Sequence, residues 1–163
     1  MKSVLLVRHA KSDWSVDADD FDRPLNERGK RDAPMMAVRL AKRKIPIDAF
    51  VSSTAKRALR TAKIFAENIG MKKGDILLKG ELYLAPPGTF YDVLEKLDDR
   101  INTVALFSHN NGITEFANSL GIARIDNMPT CSIFAFTIDS DTWKDFRKSD
   151  KAFLFFDYPK KAE

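Results

Sequence analysis

The sequence predicts an α/β protein: a three-layer α/β/α sandwich whose mostly parallel sheet has about six strands, at least one of them antiparallel. Three observations carry this. Short apolar runs of strand length alternate with helix-period segments through residue 120, as βαβ units do. The runs are continuously apolar, which marks strands covered on both faces. The last quarter holds two apolar runs, "CSIFAFTI" and "AFLFFDY", with no helical pattern between them, an arrangement suited to an antiparallel hairpin. At 163 residues, with no repeat, low-complexity tract or linker-like block, the chain is expected to form one domain, residues 1–163.

The elements follow in order. Residues 3–7 (SVLLV) form the first buried strand. Residues 11–25 carry too much Asp, Pro and Gly for a regular element and form a loop. A helix spans 32–43, with Pro34 in its first turn and a basic tail; an earlier start near Asn26, with a kink at Pro34, satisfies the same pattern. "DAFVS" (48–52) is the second strand. Ser53 or Thr54 caps a helix over 55–68 that Gly70 stops. "DILLK" (75–79) is the third strand, and a short helix covers 89–99 after "APPG". The fourth strand is 102–108, followed by a helix over 111–120 that ends at Gly121.

Composition narrows the function. The N-terminal stretch "MKSVLLVRHAKS" has too short an apolar run for a signal peptide or a membrane span, so the expected compartment is the cytoplasm, with no membrane partner. The single Cys131 lies in an apolar run and reads as a small buried hydrophobe. A net charge of +4 is spread over scattered lysines and arginines with no basic stripe among aromatics; it suits anionic substrates or an acidic partner and gives no sign of nucleic acid. Neither a metal motif, a nucleophile elbow nor a glycine-rich phosphate loop is present, so no metal and no cofactor is expected. A monomer and a dimer fit equally.

Sheets of this class place their sites beyond the carboxyl ends of the strands. Arg8 and His9 follow the first strand; Ser52, Ser53 and then Arg57 follow the second; Glu81 and Tyr83 follow the third; Ser108, His109 and Asn110 follow the fourth. Both histidines of the chain thus fall at one sheet edge, with two arginines and a glutamate. Each residue has a plainer reading in isolation: a solvated arginine, a surface acid, a helix cap. Their convergence favours chemistry. Two guanidiniums and two imidazoles near a helix N-terminus suit a dianionic phosphoryl group. A neutral imidazole kept unprotonated by neighbouring positive charge can attack phosphorus, which makes His9 the candidate nucleophile. Glu81 is the candidate acid and base for the leaving group and then for water.

These residues sit in ordered motifs. "VRHAKSDW", "DRPLNERGKRDA", "VSSTAKRALRTA" and "VALFSHNNGI" together resemble the histidine phosphatase superfamily, also called phosphoglycerate-mutase-like, over most of residues 3–120. The short length, the Ala after the histidine and the lack of room for a lid resemble the SixA-type phosphohistidine phosphatases. The resemblance implies the phosphoglycerate-mutase-like fold, with His9 as the phosphorylated nucleophile, Arg8 and Arg57 as phosphate ligands and His109 as a second phosphate-contacting imidazole. It places Glu81 of "GELY" where many members carry the acid and Ser12 within reach of the phosphate. Trp14 either borders the substrate entrance or has a packing role, in the core or on the surface. Ala10 stands where the family has Gly, adding a Cβ and removing easy access to positive φ, and Asn26 stands where it often has Thr. The implied activity is a phosphatase acting through phospho-His9 on a phosphohistidine protein. The alternative is a small phosphomonoester such as a sugar or nucleotide phosphate. A mutase lacks its lid here, and a non-catalytic phosphate binder would not need His9 and Glu81.

Overall fold

The computed structural model describes residues 1–162, with Lys73 described by its backbone alone. The strands are β1 (Lys2–Arg8), β2 (Ala49–Ser52), β3 (Ile76–Leu78), β4 (Thr103–Ser108), β5 (Ile133–Ile138) and β6 (Lys151–Asp157). The helices are α1 (Glu27–Lys42), α2 (Lys56–Ile69), α3 (Pro87–Glu95) and α4 (Gly112–Ser119). The strands form one six-stranded sheet in the order β3-β2-β4-β1-β5-β6. Pairings among β1 to β4 are parallel, whereas β5 runs antiparallel to β1 and β6 antiparallel to β5. The expected mixed sheet and terminal hairpin are therefore both present.

Side-chain alternation along each central strand builds two cores, one on each face. Leu5 and Val7 of β1, with Phe50 and Phe107, pack against Met36 and Leu40 of α1 and Phe65 of α2. Val4 and Leu6, with Val51, Leu106, Phe134 and Phe136, pack against Phe90 of α3 and Phe116 of α4. Trp143 and Phe146 complete this second layer from a 3-10 helix, Trp143–Lys148, that the sequence reading did not anticipate. Their spacing of three residues places both rings on one side of a helix with three residues per turn, and both are fully buried.

Some boundaries differ from expectation, each for a local reason. Helix α1 takes the earlier start, because the Asn26 side chain accepts a hydrogen bond from the amide of Gly29 at 2.9 Å and caps the first turn; Pro34 then lies inside the helix. Helix α3 starts at Pro87, where proline suits the first helical position, and ends at Glu95. Beyond it, Asp98 accepts the Arg100 amide at 2.8 Å and turns the chain. Strand β3, at the sheet edge, is only three residues long.

Two close backbone approaches fix the loops around the carboxyl end of the sheet. A Cβ on Gly29 would lie 2.2 Å from the Lys11 carbonyl oxygen, so glycine lets α1 press against the segment after β1. A Cβ on Gly112 would lie 1.8 Å from the Ala85 carbonyl oxygen, so glycine lets the start of α4 meet the turn after Tyr83. Among the described residues no helix is long and apolar enough to cross a membrane.

Candidate active site

Register brings the site together. In the parallel β1–β4 pair, Arg8 lies opposite Ser108, so His9 and His109 leave the sheet at the same level, and the His9 amide donates to the Ser108 carbonyl at 3.1 Å. Their rings come to rest with centroids 5.2 Å apart. Across β4, the Ser53 amide donates to the Phe107 carbonyl at 3.0 Å, which sets the start of α2, and with it Arg57, beside the same pair. All four of Arg8, His9, Arg57 and His109 thus converge on one edge. His9 is 6%, His109 1% and Arg57 5% exposed, so the solvated-surface reading of Arg57 does not hold.

The His9 ring is held in one orientation. Its Nδ1 lies 2.7 Å from the Ala10 carbonyl oxygen, which can only accept, so Nδ1 carries the proton and the neutral ring keeps its lone pair on Nε2. Burial lowers the His9 pKa to about 3, and the nearby His109, Arg57 and Arg8 push the same way against the Ala10 bond. Burial, then Arg57, likewise lowers His109 to about 3. Both imidazoles are accordingly neutral across the physiological range, each with one ring nitrogen free of a proton. Positive charge comes instead from Arg8, whose Nη1 donates to the Met128 carbonyl at 2.7 Å, and from Arg57. Burial and Arg57 lower the Arg8 pKa, a sign that two guanidiniums have been brought close without full compensation. Arg8 Nε and His109 Nδ1 are buried with no hydrogen-bond partner among the described residues. Unpaired buried polar atoms are costly, and two in one cationic pocket suit an anion with several acceptor oxygens.

These pKa values carry a stability consequence. Both histidines titrate lower in the folded protein than their ordinary value of 6.5, so between pH 6.5 and about 3 the unfolded chain binds more protons. Stability is therefore complete above pH 6.5 and falls as the pH drops through that window, by up to about 1.4 kcal/mol per pH unit for each ring. Urea unfolding at pH 7, 6 and 5 is expected to show this fall, with a shallower slope in His9→Ala. Identical slopes in the two proteins would mean that His9 titrates normally when folded.

The loop before α1 supplies a carboxylate that the sequence reading missed. Arg57 Nη2 donates to Asp20 Oδ2 at 3.0 Å, and Arg57 Nη1 donates to the Asp20 carbonyl. The Tyr83 hydroxyl donates to Asp20 Oδ2, and the Tyr83 ring meets the His109 ring edge-on at 5.5 Å between centroids. The Tyr83 bond, then Arg57, holds the Asp20 carboxyl below its usual range despite partial burial, so it is ionised at neutral pH. Since the Asp20 carboxylate occupies Arg57 Nη2, where a phosphate oxygen would compete for the same donor, Asp20→Asn is expected to lower the inhibition constant for inorganic phosphate about fivefold. An unchanged constant would show that the two anions do not compete.

The remaining expectations fare unevenly. Glu81 sits exposed in a 3-10 turn, Gly80–Leu82, and lines a groove with Leu77, Lys79, Thr89 and Asp92; among the described residues no hydrogen bond ties it to His9 or His109. The cause is local, since that turn sends the adjacent Leu82 into the core and Glu81 outward. Ser12 is buried and forms an antiparallel bridge with Leu25, and among the described residues no hydrogen bond ties its hydroxyl to Arg8, His9, Arg57 or His109. Trp14 is 68% exposed, with the Arg23 guanidinium 3.8 Å over its ring, so it is not packed internally. Ala10 needs no positive φ: it is fully buried, with its amide donating to Thr61 Oγ1 at 3.0 Å, and Thr61 Oγ1 donates in turn to the Arg57 carbonyl. Cys131 is buried as expected and burial pushes its thiol up, but its backbone matters more. With φ at 62°, its amide donates to the carbonyls of Arg8 and His9, both at 3.0 Å, and so helps fix the end of β1. Among the described residues there is no group of three or more His, Cys, Asp or Glu arranged to hold a metal ion.

Comparison with known proteins gives consistent relatives. Residues 4–77 match the family model described as histidine phosphatase superfamily, branch 1. An uncharacterized protein of Mycobacterium tuberculosis is 31% identical over 103 residues, covering 63% of this chain and 62% of its own. The matched stretch therefore spans under two thirds of that relative. A crystal structure assigned as the phosphohistidine phosphatase SixA of Agrobacterium tumefaciens superposes with a TM-score of 0.79 at 26% identity, over 97% of this chain and 98% of that one. The protein histidine phosphatase SixA complexed with tungstate superposes with a TM-score of 0.81 at 21% identity, over 96% and 97% of the two chains, a likeness of fold.

Proposed function

We propose that this chain, whose residues 4–77 match the histidine phosphatase superfamily model and whose fold superposes on the Agrobacterium tumefaciens structure assigned as SixA, is a cytoplasmic, metal-independent phosphatase of that superfamily that works through a phosphohistidine on His9. Its proposed substrate is phosphohistidine on a partner protein, and its sheet and two helical layers act as one catalytic unit. His9 Nε2 uses its lone pair to form a bond to phosphorus, while the bond from phosphorus to the substrate imidazole breaks and the leaving imidazole keeps the electron pair, taking a proton from solvent. Water then attacks phosphorus, the bond to Nε2 breaks and its lone pair returns, and the proton of water passes to the departing phosphate or to solvent. Arg8, Arg57 and His109 hold the equatorial oxygens, where charge accumulates in the transition state.

The observation that carries the substrate class is the state of the nearby carboxyl groups. Asp20, the acid beside Arg57, is ionised and holds a proton for no leaving group, while Glu81 is exposed and among the described residues makes no hydrogen bond to His9 or His109. An alkoxide leaves poorly without a proton donor, whereas the imidazole of a phosphohistidine is a far better leaving group. Exposed Trp14, Phe21 and Leu84, on the loop after β1 and the turn after Tyr83, leave apolar surface of the kind a protein partner covers. The test is a substrate panel assayed with a metal chelator present. Hydrolysis of a phosphohistidine protein or phosphoramidate well ahead of phosphosugars and nucleotides is expected. The reverse order would assign the site to small phosphomonoesters.

A further inference from the structure

Ser53, at the carboxyl end of the second strand, was expected as a helix cap, yet α2 takes Ala55 as its N-cap with no side-chain cap bond. The fully buried Ser53 hydroxyl has two polar neighbours instead. The Ala55 amide donates to Ser53 Oγ at 3.2 Å, and His109 Nε2 lies 2.8 Å away on the other side. With the Ala55 amide as a donor, the hydroxyl proton needs an acceptor, and His109 Nε2 is the one within reach. The opposite arrangement, an Nε2–H donating to Ser53, would leave a buried hydroxyl proton unpaired. It would also leave an Nδ1 lone pair in a pocket built for an anion.

We infer that Ser53 is a positioning residue that fixes His109 as its Nδ1–H tautomer, so that the otherwise unpartnered Nδ1 presents a hydrogen-bond donor to the phosphoryl group beside His9. The two observations are independent: the hydroxyl geometry at Nε2 and the buried, partnerless Nδ1 on the other side of the ring. The arrangement also explains how a neutral histidine serves an anionic substrate. It supplies a directed N–H while the ring itself stays neutral. This assignment rests on the phosphoryl-transfer reading for its purpose, though not for its geometry.

Imidazole nitrogen NMR tests it directly, since the chain has only two histidines and His9→Ala assigns them. In the wild type, His109 Nδ1 is expected to give a protonated-nitrogen signal and Nε2 an unprotonated one. Ser53→Ala should mix the tautomers and lower kcat/KM about tenfold, the worth of one directed hydrogen bond, while Ser53→Thr, which keeps the hydroxyl, restores the Nδ1–H signal. A wild-type spectrum with the proton on Nε2 overturns the inference, even if neither variant folds. So does a Ser53→Ala protein with unchanged tautomer and rate. A wild type that carries Nδ1–H but turns over no phosphorylated substrate would overturn the phosphatase reading alone, and would leave the control of His109 by Ser53 in place.

Discussion

Replacing His9 with alanine is expected to lower kcat by about 10⁴-fold or more while the protein stays folded, because the proposed nucleophile would carry both half-reactions. The structure prepares this residue more fully than any other. The Ala10 carbonyl fixes the proton on Nδ1, burial and neighbouring charge keep Nε2 free of a proton, and the β1–β4 register sets the ring 5.2 Å from His109. Stability should change little, since the ring is held by one hydrogen bond and resists charging only at acid pH. A fall of a few degrees in Tm is expected at pH 7. Steady-state kinetics with a phosphoramidate substrate checks the rate, and a variant retaining more than a tenth of the wild-type kcat would mean that another group attacks phosphorus.

The second large effect belongs to Arg57. Arg57→Ala is expected to lower kcat/KM by about 10²- to 10³-fold, as removal of a preorganised donor to a charged transition state does in other enzymes. Arg57→Lys should recover only part of the loss, because an ammonium lacks the two-pronged geometry that meets phosphate oxygens. Thermal stability should hardly fall, because the substitution removes a guanidinium crowded by Arg8. It also leaves Asp20 with its Tyr83 bond. Kinetics beside a melting curve separates the two properties. Equal losses in both would give Arg57 a role in the core instead of at the phosphate.

Much of this site was legible before any coordinates. Continuous apolar runs located the strands, and the rule that open parallel sheets place their sites beyond the carboxyl ends of strands then singled out Arg8, His9, Arg57 and His109. What the sequence left open shares a cause: each feature depends on where one side chain points after a turn. "GELY" offers an acid at the right place in the chain, but the 3-10 turn faces Glu81 outward and delivers Tyr83 to the pocket. Asp20 lies in "DADDFD", where nothing local separates it from Asp17, Asp19 or Asp22; only the fold brings it to Arg57. Ser53 read as a cap because serine before a helix commonly is one, and its tie to His109 spans 56 residues. Trp143 and Phe146 did carry a signal, a spacing of three, too short a segment to register as a helix of ordinary period.

The central claim is a covalent phosphohistidine on His9, and trapping it is the most direct measurement. Brief incubation with a radiolabelled phosphodonor, followed by denaturation, should yield a phosphoprotein that survives alkali, is lost in acid, and is absent from His9→Ala. An acid-stable label, or equal labelling of the His9→Ala protein, would contradict it.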